Sequence, residues 1–256
     1  MNLGLEGKLL VVGGGSRGLG RAVAQTLVEE GARVILVSRD EDALNDAAAE
    51  LGDTAVPFAA DLADAAAVDA LAARLSEEAG GLDGILVNAG GPPPGGALDL
   101  SDEQWEGAFR LLIGGPVRLL RALVPRCNEG ASILFVTSSS VRQPIPQLDL
   151  SNTLRPGVAA LVKCLARELG PGIRVNSLAP GRFATERVRF LDERGAEAAG
   201  LSLDEQVERM LQRIPLGRYG DPEELGRVAA FLLSPAASYV SGVSVQVDGG
   251  SVTAVP

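Results

Sequence analysis

The chain contains no histidine. That absence removes Ser-His-Asp and Cys-His nucleophilic catalysis, and nearly every common zinc site with them. Cysteine is almost as scarce: Cys127 and Cys164 are the only two, without CxxC spacing. They form no disulfide framework and read as two buried thiols in a reducing cytosol. Lysine is reduced to Lys8 and Lys163 and tyrosine to Tyr219 and Tyr239. A membrane-length apolar run is missing too. The longest uncharged stretch of note, 228–247, holds Pro235 and four serines and reads as a helix end, a turn and a strand. The opening MNLGLEGKLL has no basic start followed by a long apolar core, so no secretory signal is expected and the expected location is the cytoplasm. Positive charge is in deficit, with a net charge of -10 at pH 7. This argues against general binding to nucleic acid or to an anionic membrane.

What is present suffices for one large domain. The 256 residues are 46% hydrophobic, enough for a substantial core. KLLVVG, RVILVS, AVPFAA, GILVN and SILFVTS are apolar on both faces, as buried parallel strands are. Between them 17–30, 41–51, 64–79 and 101–125 carry helical periodicity. A helix is expected over 158–169, a strand at 173–178, a helix at 222–233 and a last strand at 243–247. Strand and helix in turn imply right-handed crossovers and a single α/β domain with a doubly wound parallel sheet of about seven strands. The segment 182–218 interrupts that alternation with a charged helical excursion. It reads either as a solvated face or as a lid over a substrate pocket.

The stretch KLLVVGGGSRGLGRAVAQTLVEEGARVILVSRD is a strand, a glycine-rich turn, a helix and a second strand. Gly14, Gly18 and Gly20, with Ser16, Arg17 and Leu19 between them, allow a tight turn and close approach of a pyrophosphate to the helix N-terminus. The second strand ends Ser38-Arg39-Asp40. A site for NAD usually carries a carboxylate at that tip. Arg39, helped by Arg17, suits a 2′-phosphate, because guanidinium groups grip phosphate in a bidentate way. NADP is therefore the expected cofactor, with NAD the alternative.

These features, with Asp61-Leu62 after the third strand, Asn88-Ala89-Gly90 after the fourth, TSSS at 137–140, RVNSLAPG at 174–181 and the closing SYVSGVSVQVDGG, run in one order along almost the whole chain. In them the sequence resembles a short-chain dehydrogenase/reductase, nearest to the β-ketoacyl-acyl-carrier-protein reductase group. The resemblance implies that Asp61 contacts the adenine, that the backbone of Asn88, Ala89 and Gly90 lines the cofactor, and that Pro180, Gly181 and Thr185 sit beside the nicotinamide. Plainer roles, as a helix cap or a turn, are open to Asp61, Asn88 and Thr185. The resemblance also implies a homodimer or homotetramer acting on a small-molecule or acyl-carrier-linked substrate, without metal, membrane or nucleic acid.

The same resemblance implies a catalytic serine, tyrosine, lysine and asparagine. The matching positions are Ser138, Ser151, Arg155 and Leu112, so only the serine is kept. A serine is a far weaker acid than a phenol, and arginine holds its proton at any working pH. Pro156 pushes Arg155 away from helical angles, so the helix is expected to start late, with Arg155 near its cap or in a surface ion pair. Pro116 lacks the N–H that would pair the Leu112 carbonyl. Either a simple helix kink follows, or that carbonyl holds a water leading toward Ser138. The run GGPPPGG at 90–96 is a rigid surface loop or a wall of the pocket. Three functions stay open. The first is an NADP-dependent oxidoreductase using Ser138, Ser151 and Arg155 on an altered proton path. The second is a nucleotide-binding protein without turnover, and the third a non-redox reaction such as elimination or isomerisation.

Overall fold

In a computed structural model, which describes residues 2–76 and 80–254, the strands lie in one sheet. They are β1 (Leu9–Gly13), β2 (Arg33–Ser38), β3 (Ala55–Ala59), β4 (Leu82–Val87), β5 (Cys127–Val136), β6 (Ile173–Pro180) and β7 (Ser244–Val247). All neighbours pair in parallel in the order β3-β2-β1-β4-β5-β6-β7. The order reverses between β1 and β4, so the crossovers leave a crevice beyond the carboxyl ends of those strands.

Both faces of the sheet are apolar because successive strand residues point to opposite sides. Leu10 and Val12 of β1 join one core, and Leu9 and Val11 join the other. Helices α1 (Gly18–Glu29) and α2 (Glu41–Leu51) cover the first face, together with α9 (Pro222–Leu233). The second face carries α3 (Ala65–Leu75), α5 (Gly115–Leu123) and α6 (Asp149–Glu168). Each fully buried leucine, such as Leu27 or Leu119, contributes about 1.5–3 kcal/mol. The C-terminal end of the expected helix 64–79, residues 77–79, lies outside the described residues.

Three expectations are corrected. The expected helix 101–125 is α4 (Asp102–Phe109), a π-helical turn over Arg110–Gly114, and α5. The Gly115 N–H reaches back to the Arg110 carbonyl, so the helix takes up one extra residue around Leu112, ahead of Pro116. Helix α6 starts at Asp149 rather than near 158 and contains Pro156. Its first turn is fixed from outside: Asn152 donates to the Ile145 carbonyl at 2.8 Å and accepts the Ile145 N–H at 2.9 Å. Those tertiary bonds outweigh the local preference against helix before proline. Finally, Cys164 is exposed and Cys127 half-buried, where two buried thiols were expected. Burial first, and then Asp83, pushes the Cys127 thiol up to about 11, so it stays protonated.

Candidate functional site

Beyond the carboxyl ends of the strands opens a cleft of about 1130 Å³. All of the candidate residues named above, from Gly14 to Thr185, line it except Gly20, and the matching position Leu112 does not line it either. The floor at β1 is built by glycine for steric reasons. A Cβ at Gly20 would stand 2.1 Å from the Gly14 carbonyl oxygen, and one at Gly14 only 2.7 Å from Asn88 Nδ2. Gly14 and Gly18 also have φ of +63° and +57°, in the left-handed region that glycine adopts without strain. On its outer side the turn is open: a Cβ at Gly18 would meet only a Thr185 methyl, at 3.9 Å.

Helix α1 leaves this turn with no side-chain cap and no acidic residue in its first turn. By contrast, Asp40 and Ser101 cap α2 and α4. The first N–H groups of α1 therefore have no side-chain acceptor beside a glycine cradle, which fits a bound anion. At the end of β2, Ser38 is half-buried and Arg39 exposed. Arg17 turns toward carboxylates instead, pairing with Asp40 and lying 3.7 Å from Glu186. Asp61 does not cap α3, since Asp64 does so through the Ala66 N–H. Asp61 accepts the Ala63 N–H at 2.9 Å and stays exposed at the rim. Thr185 does start a helix, accepting the Val188 N–H at 3.3 Å, and lines the cleft as well. Gly181 is demanded by packing: a Cβ there would stand 2.6 Å from Asp248 Cβ.

At the inner end β5 delivers Thr137 and Ser138, and α6 delivers Ser151 and Arg155 one turn apart on the same face. Ser138 Oγ accepts the Ser140 N–H at 3.1 Å and caps a short 3-10 turn. Ser140 Oγ lies 3.3 Å from Ser151 Oγ, which accepts Arg155 Nε at 3.1 Å. Arg155 Nη1 donates to the Val136 and Thr137 carbonyls at 3.0 and 2.8 Å. The guanidinium is thus locked on the end of β5 and only 7% exposed. It is not the surface ion pair that Pro156 suggested. Burial, and after it the neighbouring Arg187 charge, pushes its pKa down to about 10, so it remains charged at neutral pH.

One residue of the cleft lining, Arg187, and one buried behind it, Ser140, were not singled out in the sequence. Ser140 stood inside the quoted TSSS run, and its buried position behind Ser151 follows from the 3-10 turn. Arg187 lies two residues past Thr185, on α7 (Glu186–Ala199), which α8 (Leu203–Leu211) follows. Its Nη2 donates to the Pro92 carbonyl at 2.7 Å, which ties the 90–96 loop to the cleft wall. The same loop is pinned to the start of α6, where the Gly95 N–H donates to the Gln147 carbonyl at 2.7 Å. Among the described residues no group of three or more His, Cys, Asp or Glu is placed to hold a metal, and no helix is long and apolar enough to cross a membrane.

Comparison with known proteins returns the same pattern. The family model described as enoyl-(acyl carrier protein) reductase matches residues 14–252. The 3-oxoacyl-[acyl-carrier-protein] reductase FabG of Vibrio cholerae is 30% identical over 251 residues, covering 97% of this chain and 98% of its own. L-sorbose reductase from Gluconobacter frateurii, complexed with NADPH and L-sorbose, superposes with a TM-score of 0.93 at 31% identity over 100% of both chains. An NADPH-bound short-chain oxidoreductase from Pseudomonas aeruginosa PAO1, described as containing an atypical catalytic center, gives 0.87 at 31% identity, covering 97% of this chain and 98% of its own. The sheet order, the glycine turn and this end-to-end likeness lead to one conclusion: the chain belongs to the short-chain dehydrogenase/reductase family.

Proposed function

We propose that the protein is an NADP-dependent oxidoreductase acting on a carbonyl or alcohol group, with Ser138 kept as the serine and Ser151 and Arg155 in place of the phenol and ammonium that the family resemblance implies. The observation that carries it is the buried, bonded line Ser140–Ser151–Arg155, of which Ser151 and Arg155 line the inner end of the glycine-floored cleft. A merely inherited fold has no need to bury a guanidinium and aim it at a hydroxyl there. NADPH in the crystal structures of two relatives supports the choice of cofactor.

The residues present fit that cofactor. The turn from Gly14 through Ser16, Gly18 and Leu19 to Gly20 would hold its pyrophosphate on the first N–H groups of α1. Ser38 and Arg39, with Arg17 beside them, would hold the 2′-phosphate, and Asp61 and Leu62 the adenine. Asn88, Ala89 and Gly90 would line it, with Pro180, Gly181 and Thr185 at the nicotinamide. When bound, the nicotinamide gives or takes the hydride.

The protein's own groups manage the proton and the carbonyl oxygen. Because Ser138 Oγ already accepts the Ser140 N–H, its own O–H is free to donate to a substrate oxygen. Ser151 Oγ accepts from the Arg155 cation, so its hydrogen turns either to Ser140 Oγ or into the cleft. A charged donor on that oxygen makes the hydroxyl a better proton donor than an isolated serine. Arg155 surrenders no proton; it steadies developing negative charge, and Ser151 passes on a proton taken from water in the cleft. Without a positioned phenol this route is slower by about 10²–10⁴-fold than general acid catalysis.

The function is tested by following NADPH consumption and product together over a panel of ketones, aldehydes and 3-oxoacyl thioesters. Slow reduction of at least one is the expected outcome. No product from any of them, with enzyme in excess over substrate, contradicts it.

The segment 182–218 serves as the lid in this reading. Its base is tied down where Arg182 and Tyr219 Oη meet the buried Asp192, the latter at 2.9 Å. Beyond that base Arg189, Arg194 and Arg209 stand exposed. Adding NADPH is expected to slow trypsin cleavage at these arginines severalfold, as read by mass spectrometry of the fragments. Unchanged cleavage in saturating NADPH contradicts a lid.

A further inference from the structure

Four arginines line the cleft, of which Arg17 is answered by a carboxylate and Arg39 is exposed at the rim; Arg182 and Arg218, outside the lining, are answered as well. Arg17 pairs with Asp40, Arg182 with Asp192, and Arg218 with Glu224 at 2.6 Å. Arg155 and Arg187 are not: neither has a carboxylate oxygen within 4.0 Å among the described residues. The chain has 33 acidic against 23 basic residues, so acidic partners were available and none was placed there. Instead the two guanidiniums are held by neutral groups. Arg155 spends Nε and Nη1 on Ser151 Oγ and two carbonyls, leaving Nη2 without a protein acceptor. Arg187 spends Nη2 on the Pro92 carbonyl and lies 5.6 Å from the centre of the Phe190 ring.

The GGPPPGG loop is shaped for this arrangement. A Cβ at Gly91 would stand 2.9 Å from Arg187 Nε, so glycine makes room for the guanidinium, and the buried Pro92 presents the carbonyl that fixes it. Two partly or wholly desolvated cations thus line one cleft close enough for Arg187 to disfavour the charged form of Arg155. Burial pushes Arg187 down as well. Like charges held together out of water are tolerated where a negative group joins them.

We infer that the substrate is itself an anion, a carbonyl or hydroxy compound bearing a carboxylate, whose carboxylate is received between Arg155 and Arg187. This rests on the oxidoreductase reading and narrows it. Arg155 Nη2 and the N–H groups that Arg187 does not spend on Pro92 suit a carboxylate through charge-assisted bonds. Ser138 and Ser151 line the same cleft as the two arginines. The competing source of the same anionic chemistry is a phosphate of the cofactor itself.

Calorimetric titration separates these. The protein is first titrated with NADPH, then, as the NADPH complex at constant ionic strength, with acetoacetate and with its near-isosteric neutral amide, acetoacetamide. Acetoacetate is expected to bind about tenfold or more tightly than the amide. Arg187→Gln should erase that preference and keep NADPH affinity within about threefold of wild type, while Arg187→Lys should keep part of the preference. Melting temperatures of both variants report whether they fold. Equal binding of acid and amide, binding of neither, or an intact preference in a folded Arg187→Gln overturns the inference. A large loss of NADPH affinity in Arg187→Gln assigns the pair to the cofactor and overturns it too. Failure of the wild type to bind NADPH in the first titration instead defeats the oxidoreductase reading on which it rests.

Discussion

Replacing Ser138 by alanine is expected to lower turnover about 10²–10³-fold, as loss of one preorganised donor to a developing oxyanion does. NADPH affinity should stay within about threefold. The separation follows from geometry. Ser138 sits at the end of β5, where its Oγ accepts the Ser140 N–H and its hydrogen is left for the substrate. The glycine turn and the first turn of α1 lie at the end of β1, two strands away in the sheet order. Loss of the cap on the 3-10 turn costs about 1 kcal/mol, so a small drop in melting temperature accompanies the variant. Ser138→Thr keeps a hydroxyl and should recover part of the rate. Single-turnover kinetics with saturating NADPH read the effect; an unchanged rate in Ser138→Ala removes the serine from the mechanism.

The second large effect is a gain. Ser151→Tyr combined with Arg155→Lys should raise turnover about 10²-fold, the lower end of what a positioned general acid contributes. Both halves are needed, because the phenol donates well only with a cation that favours its ionised form, and the long guanidinium occupies the space one turn along the helix. Stability should fall in exchange. Arg155 Nη1 bonds the Val136 and Thr137 carbonyls at 3.0 and 2.8 Å, and a lysine ammonium does not reproduce that fork. Either single substitution alone should gain little or lose rate, since the two groups act as a unit. A double variant that folds, binds NADPH and reduces nothing faster argues that the pocket no longer accepts a carbonyl in a productive pose.

The sheet was legible because its signal is local. Residues 9–12 are apolar without alternation, which only a strand buried on both faces requires, and they divide between the two cores accordingly. The glycine turn was legible for the same kind of reason, although Gly20 serves packing against Gly14 and does not line the cleft. What the sequence concealed depends on tertiary contact. Pro156 argues locally for a late start to α6, yet Asn152 is bonded to Ile145 and Arg155 to the end of β5, and the helix begins at Asp149. Arg187 looks like one more surface arginine until the 90–96 loop folds over it. Nor does the one-residue expansion at Arg110–Gly114 have a signature beyond the proline that follows it.

The central claim is that the cleft is a working NADP site, and calorimetric titration of the purified protein with NADPH and NADH at fixed salt tests it most directly. The account predicts NADPH binding at least about tenfold tighter than NADH, since a charge-assisted bond from Arg39 to the 2′-phosphate has that worth. Arg39→Asp should abolish the difference. Binding of neither nucleotide would contradict the account and reduce the glycine turn to inherited architecture.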